Sequence, residues 1–428
     1  MATKKDDFSL LIHGHIVTPY AQLEVPATGA RIHQLLEYQD GAVAFNETIL
    51  DIGPTEKLLQ KFHLSAAQAV YDVGGRLVLP GFVDSHTHLP FAGTREKEIE
   101  WRLEGLSYQE IAKKGGGIIY TTELTRAASP ESLKMQGEEY LNRMLVGGTT
   151  TIEAKSGYGL DINTELKQLQ VIKELSESHP IDIIPTFLGA HAIPPGETAE
   201  IFTEKVISAM IPKVKDQGIA EFIDVFCEEN YFTPEQTRRI VKAGAEAGLK
   251  PKLHVDEFAS GFGGAELAGE LGAISADHLL KISRSGIKAL ADNMVIGTLL
   301  PGTPFVLGSQ AYAPARSMID AGVPIALATD FNPNCMLLSM PMVMTLATYN
   351  MGLKSAETVV ASTINAAWAI NRHKSVGSLT PGKLADMVVL PIKSIHFISY
   401  LLGQGPIDFV FKRGDLVVDR GQIILHRP

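Results

Sequence analysis

Cysteine is nearly missing: Cys227 and Cys335 are the only two in 428 residues. They supply no disulfide framework, which points to a reducing compartment. Long apolar runs are missing as well. The longest such region, Met294 to Gly308, is broken by Gly, Thr and Pro and cannot supply the ~20 apolar residues of a membrane span. There is no long Lys/Arg run, and the formal net charge is −10. That argues against a nucleic-acid groove, where a basic stripe must offset phosphate charge, and means that an anionic ligand needs a local cation. Lys4-Lys5 is followed at once by Asp6-Asp7 and a short apolar stretch, unlike a secretory signal. The expectation is a cytoplasmic protein whose partner is a small molecule, with neither nucleic acid nor membrane involved.

What is present is the balance of an ordinary globular chain, 45% hydrophobic and 20% charged, which excludes disorder as the main state. From about Val78 onward, β-rich runs alternate with helical stretches, the pattern of parallel βα units. The eight candidate strands are Val78–Asp84, Thr149–Glu153, Ile181–Leu188, Phe222–Cys227, Lys252–Val255, Ala273–Ala276, Asn293–Leu299 and Pro324–Ala328. Several are near-continuous apolar runs, as strands covered on both faces must be. Helix signals fall between them. Thr233-Pro234-Glu235-Gln236 reads as a capping box with a proline in the first turn, and Gly248 as a left-handed stop. Ser129-Pro130-Glu131 and Ser355-Ala356-Glu357 read as further helix starts.

Eight such units favour an α/β fold, a closed (β/α)8 TIM-type barrel over residues 78–376. Residues 1–77 contain the strand-like runs Leu10–Val17, Ala42–Phe45 and Ile49–Ile52. Residues 377–428 add Ala385–Leu390, Asp408–Phe411 and Leu416–Val418, with Lys412-Arg413-Gly414-Asp415 as a hairpin turn. A few strands at either end make a weak sheet alone, so both ends are expected to join in one small β-sandwich domain.

His86 and His88 lie two apart at the end of the first barrel strand, where a period of two turns both imidazoles into the barrel mouth. Alone, such a pair also fits two hydrogen-bonded core histidines. His254 closes the fifth strand, His278 the sixth and Asp330 the eighth, and barrel chemistry is carried at these strand ends. Three neutral imidazoles, His86, His88 and His254, with the Asp330 carboxylate suit Zn²⁺, or iron as second choice, and leave room for a water. Such a metal lowers the pKa of that water toward ~7, so hydrolysis is the expected chemistry.

The run Asp84-Ser85-His86-Thr87-His88, taken with His254, His278 and Asp330, resembles the amidohydrolase superfamily of metal-dependent barrel hydrolases. Gly93-Thr94-Arg95-Glu96-Lys97-Glu98, Gly115-Gly116-Gly117-Ile118, Glu153 to Leu160, Gly189-Ala190-His191-Ala192-Ile193-Pro194 and Thr329-Asp330-Phe331-Asn332-Pro333 resemble the imidazolonepropionase family within it. The resemblance runs from about Val78 to the C-terminus. It implies one metal per chain, a homodimer, and hydrolytic opening of 4-imidazolone-5-propanoate to N-formimidoyl-L-glutamate.

The substrate's propionate calls for a cation, and Arg95 offers a planar fork. Without the resemblance, Arg95 amid Glu96, Lys97 and Glu98 reads as part of an exposed helix start. Tyr158, on a flexible loop after the second strand, His191 after the third, and Asn332 are the other expected substrate contacts. Gly115–Gly117 lacks the Gly-Lys-Ser/Thr ending of a phosphate loop and reads as a turn near the substrate. Glu257 is assigned proton transfer and substrate orientation, His278 a hydrogen bond to the water or the developing oxyanion, and Asp330 the water's proton. These three roles are interchangeable at the level of sequence.

Strand alternation turns Asp256 and Asp277 away from the mouth. Lys155, whose counterpart in related hydrolases bridges two metals when modified, is placed in a loop past its strand. Asn334 and Cys335 stand where some family members have Gly and Ser. Two other readings share the barrel: a deaminase of a heterocycle, which Arg95, Tyr158 and the Asn332 loop disfavour, and a metal-free binding protein, which the full ligand set disfavours.

Overall fold

The computed structural model describes residues 7–20, 24–404 and 407–424, so the Lys4-Lys5-Asp6 segment lies outside the described residues. Eight parallel strands pair in chain order: Phe82–Asp84, Thr149–Lys155, Asp182–Ala190, Phe222–Cys227, Lys250–Val255, Ser275–His278, Ile296–Leu299 and Ile325–Leu327. The ring closes at its upper rim. Thr87 bridges Phe331, Asp330 N–H donates to the His86 carbonyl at 3.1 Å, and His88 N–H donates to the Phe331 carbonyl at 2.9 Å. The last ligand-bearing loop is thereby stitched to the first.

The helix signals act as their chemistry requires. Thr233 and Gln236 form a reciprocal capping box at the start of Pro234–Glu246, and Gly248 follows that helix at φ 93°. Ser129 caps Pro130–Val146. Ser355 opens the helix Ser355–Ala361 as its first residue, while Glu357 accepts the Lys354 N–H at 2.7 Å.

One strand departs from its expected bounds. Within Val78–Asp84, Leu77–Pro80 pairs with Ser9–Pro19 and Met387–Leu390 in the other sheet, and only Phe82–Asp84 belongs to the barrel. An apolar run reads the same in either sheet; Gly81 between the two strands is the break. Both chain ends meet in one nine-stranded mixed sheet. Its faces bury Leu11, Ile16, Val43, Phe45, Met387 and Phe411 on one side and Leu10, Ile12, Ala42 and Ala44 on the other. The hairpin at its C-terminal end is the two-residue turn expected, with φ 50° at Arg413 and 83° at Gly414. A Cβ at Gly414 would lie 2.0 Å from the Asn46 carbonyl oxygen, so no other residue fits there.

Inside the barrel, Val83, Ile184, Phe222, Ile296 and Ala326 pack with the helix Ile364–Ala369 as an apolar floor. Above it lies a fully buried charged layer of Glu153, Lys155, Asp224, Lys252 and Asp277. The site rests on that layer.

Candidate active site

Four donor atoms from three distant stretches of chain converge above the charged layer. His86 Nε2 and His88 Nε2 are 3.3 Å apart, and His88 Nε2 and His254 Nε2 3.4 Å. Asp330 Oδ1 stands 3.5 Å from His86 Nε2 and 3.3 Å from His88 Nε2. Ligands ~2.0–2.1 Å from a tetrahedral cation are about 3.3–3.4 Å from one another; the contacts that His88 makes with His86, His254 and Asp330 have that spacing, and donor atoms of His86, His88 and His254 all lie within 4.8 Å of one another. The carboxylates facing the outer ring nitrogens support the same assignment. His86 Nδ1 is 2.7 Å from Asp277 Oδ2 and His254 Nδ1 is 3.0 Å from Asp224 Oδ2, which places the ring protons outward and the Nε2 lone pairs inward. Asp330 Oδ1 is buried with no hydrogen-bond donor among the described residues, while Oδ2 accepts from the Thr303 hydroxyl.

Protonation states agree with ligation. Burial, reinforced by the Lys155 charge, drives the His86 imidazole well below its ordinary pKa, and burial lowers His88 despite the Asp330 charge. Burial acts to raise Asp330, but contact with the His88 ring and the neighbouring imidazoles hold it below the ordinary carboxylate range. Neutral rings and a charged carboxylate are the forms that bind a cation. Asp84 carries the eighth-strand loop: its carboxylate accepts the Thr329 N–H at 3.0 Å and hydroxyl at 2.6 Å.

Two expectations need correction in the charged layer. Lys155 is not in a loop; it ends the strand Thr149–Lys155, fully buried, with Nζ 2.8 Å from Glu153, 2.8 Å from Asp224 and 3.7 Å from Asp277. Burial disfavours its charge, yet these three carboxylates raise its pKa above the ordinary lysine value. Asp277 does not turn away from the ligand cluster. The backbone at His278 takes φ 79° and at Leu279 63°, which ends strand alternation and brings Asp277 and His278 together against His86. Asp256, by contrast, does serve structure, accepting the N–H groups of Gly264 and Ala265 at 3.2 Å.

Around the cluster opens a small cavity lined by His88, Arg95, Ile118, Tyr158, His191, His254, Glu257, His278, Asp330 and Asn332, with Phe226 and Phe258 as apolar walls. Every candidate contact is therefore at one place. Arg95 is buried, not part of an exposed helix start: Nε and Nη2 bind Glu98 Oε1 and Oε2 at 2.7 and 2.8 Å. Glu98 also accepts the Gly117 N–H at 2.8 Å, which ties the triple glycine to the cavity wall.

The Tyr158 loop is pinned rather than flexible. Glu165 accepts N–H groups of Gly157, Gly159 and Leu160 at 2.8–2.9 Å, and Gln168 accepts that of Tyr158 at 3.2 Å. His191 Nδ1 lies 2.9 Å from the Gly157 carbonyl, which leaves its Nε2 edge as an acceptor. Glu257 Oε1 lies 3.6 Å from His278 Nδ1. Burial, then the Asp330 and Glu228 carboxylates, raise the Glu257 pKa well above its ordinary value; burial takes His278 down to about 3.

Asn332 builds its own loop, donating to the Asp330 carbonyl at 2.7 Å and accepting from Asn334 and Cys335 N–H at 2.8 and 3.1 Å. Asn334 also lines the cavity and accepts from Arg102. Cys335 is buried and its thiol is pushed up to about 12 by burial, so it is inert.

Asp224, Glu98, Glu165 and Thr303 escaped sequence reasoning. For Asp224 a signal exists: an acid in the middle of Phe-Ile-Asp-Val-Phe, a strand otherwise apolar, belongs inside only if it has a partner there. Glu165 and Glu98 look like ordinary helix residues.

Residues 77–417 match the amidohydrolase family. Imidazolonepropionase of Geobacillus kaustophilus (strain HTA426) is 48% identical over 415 residues, 96% of this chain and 97% of the relative. The chain belongs to the imidazolonepropionase family of amidohydrolases. A relative from Haloarcula marismortui, also an imidazolonepropionase, is 46% identical over 92% of this chain and 93% of its own. Solved structures match at lower identity and bear on the fold alone. They include Escherichia coli guanine deaminase (TM-score 0.72, 15% identity, 96% of this chain and 99% of that one). A zinc-bound adenosine deaminase from Xanthomonas campestris matches with TM-score 0.70 and 18% identity over 97% and 94%.

Proposed function

We propose that this amidohydrolase opens the cyclic amide of 4-imidazolone-5-propanoate with water, giving N-formimidoyl-L-glutamate in histidine degradation. The observation that carries the reading is the meeting of His86, His254 and Asp330 around His88 at 3.3–3.4 Å in a chain near-colinear with imidazolonepropionases. These four residues hold one Zn²⁺ or iron per chain. A bound cation supplies Lewis acidity and draws the pKa of a water toward ~7. The Lys155 ammonium, held by three carboxylates, favours a single metal.

The chain's own residues do the rest. Arg95, set by Glu98, takes the propionate carboxylate. Tyr158 donates to the ring's polar edge, and the Nε2 lone pair of His191 accepts a ring N–H. The Asp330 carboxylate, kept charged, takes the proton of the attacking water. His278, kept neutral, donates to the oxygen that gains charge as the carbonyl becomes tetrahedral. Glu257, kept protonated by its surroundings, delivers its proton to the ring nitrogen as the C–N bond breaks. The test is direct: metal-replete protein should consume imidazolone propionate with loss of its near-ultraviolet absorbance, releasing formimidoylglutamate and no ammonia. Absence of turnover overturns the reading, and ammonia release would favour a deaminase.

Two further parts of the reading concern the protein's setting. No helix among the described residues is long and apolar enough to cross a membrane, and the two thiols are free and buried, in keeping with a cytoplasmic enzyme. A homodimer is supported by Tyr349, Phe397, Tyr400 and Leu402, large apolar groups exposed on and beside the packed helices Met340–Met351 and His396–Tyr400. Light scattering of the purified protein checks the mass.

A further inference from the structure

A side chain on a loop is only as well placed as the backbone that carries it. Glu257 stands just past the fifth strand, on a stretch whose N–H groups have left the sheet. Three of them in succession end on one carboxylate. Glu228 Oε2 accepts from Glu257 at 2.9 Å and Phe258 at 3.0 Å, and Oε1 accepts from Ala259 at 3.1 Å. Oε1 also accepts the neighbouring Glu229 N–H at 2.8 Å. Glu228 is buried, and these four bonds fill the lone-pair positions that a carboxylate offers. A glutamine of the same shape has one acceptor oxygen and would turn an NH₂ toward the donors. The charge is therefore what lets a single side chain gather so many N–H groups.

The platform behind Glu228 is rigid. It follows the strand Phe222–Cys227, where Cys227 bridges Phe232. Its own N–H reaches the Phe232 carbonyl at 3.2 Å, and its carbonyl accepts from Tyr231 at 3.0 Å. The capped helix Pro234–Glu246 begins at once. Phe258, held by the same carboxylate, lines the cavity beside Glu257.

We propose that Glu228 is a positioning residue for the hydrolysis: from the fourth strand it fixes the backbone of Glu257–Ala259 and so aims the Glu257 carboxyl at the leaving nitrogen. This deepens the preceding reading and rests on it. The experiment is a double-mutant cycle on the metal-replete enzyme with imidazolone propionate, comparing wild type, Glu228→Gln, Glu257→Gln and the double variant. A misplacement of order 1 Å costs on the order of 10²-fold in rate. Glu228→Gln is thus expected to lower kcat by about that factor at unchanged metal content, and by about twofold or less once Glu257 is already Gln. Glu228→Asp, which keeps the charge one methylene short, should fall between, and carries the same cycle if Glu228→Gln folds poorly. Equal fold-losses in both backgrounds, a loss matched by lost metal, or wild-type kcat overturns the positioning role. Wild-type protein that does not turn the substrate over overturns the underlying reading and this role with it; turnover with an additive cycle overturns this role alone.

Discussion

Asp277 shows how much of the site is decided by groups that touch no ligand. By taking the Nδ1 side of His86 it fixes which nitrogen faces the other donors, and it also lies within 3.7 Å of the Lys155 ammonium. Asp277→Asn keeps the volume but removes the charge that orients the ring. Loss of such a partner costs about 10–100-fold in metal affinity, which competition with a chelator would measure; unchanged affinity would assign His86 orientation to packing. At Arg95 the prediction concerns substrate. Arg95→Ala removes a charge-assisted bond of ~1.5–3 kcal/mol, so KM should rise about 10- to 100-fold with kcat moved less, because that bond serves ground and transition states alike. An unchanged KM contradicts the role. His86, His88, His254 and Asp330 were legible because metal-type donors at the ends of parallel strands are rarely there by chance. Asp277 was not, because the left-handed backbone at His278 is invisible in a pattern of alternation.

Among the elements, the loops of the mouth owe their shape to carboxylates on their neighbours. The Ser156–Leu160 stretch follows the second strand, and the N–H groups of Gly157, Gly159 and Leu160 go to Glu165 on the next helix, Ile162–Ser178. Gly157 is the joint: it sits at φ 113°, and a Cβ there would come 2.9 Å from the Leu188 carbonyl oxygen and 3.1 Å from His191 Nδ1. Gly157→Ala should therefore cost about 1–3 kcal/mol of backbone strain and push Tyr158 and His191 from their places. A lower unfolding midpoint and a raised KM are expected together; wild-type values of both would mean that the loop yields freely. Barrel strands and capped helices were readable from local chemistry, since apolar runs and Thr-Pro-Glu-Gln state their own preference. Loop rigidity was not, because Glu165 and Gln168 carry no mark that separates a clamp from a solvated helix face. Nor could the sequence divide Val78–Asp84 between two sheets, as Leu77–Pro80 and the Phe82-Val83 pair read as one apolar run.

For the whole molecule, the join between barrel and end sheet passes through a buried lysine. Ile49 N–H donates to the Lys383 carbonyl at 2.8 Å, Gly382 N–H donates to the Ile49 carbonyl at 2.9 Å, and Lys383 Nζ donates to the Val376 carbonyl at 3.0 Å. Lys383 is 7% exposed, and burial brings its pKa from 10.5 down to about 8. Burial, helped by the charges of Lys383 and Lys374, brings His373 down to about 4. Folding thus favours the neutral amine. Below pH ~8 the ammonium is charged in both states and its burial cost is fully present; between about pH 8 and 10.5 the folded form releases its proton first and the cost fades; above 10.5 it is gone. A shift of this size corresponds to roughly 3 kcal/mol, and loss of the Val376 bond would give back about 1 kcal/mol. Lys383→Met should consequently raise the unfolding midpoint at pH 7, with the advantage shrinking above pH 8 and lost by about 10.5. Thermal scans of both proteins across that range provide the check, and a lower midpoint for the variant at pH 7 would show that the ammonium holds the two sheets together instead of straining their junction.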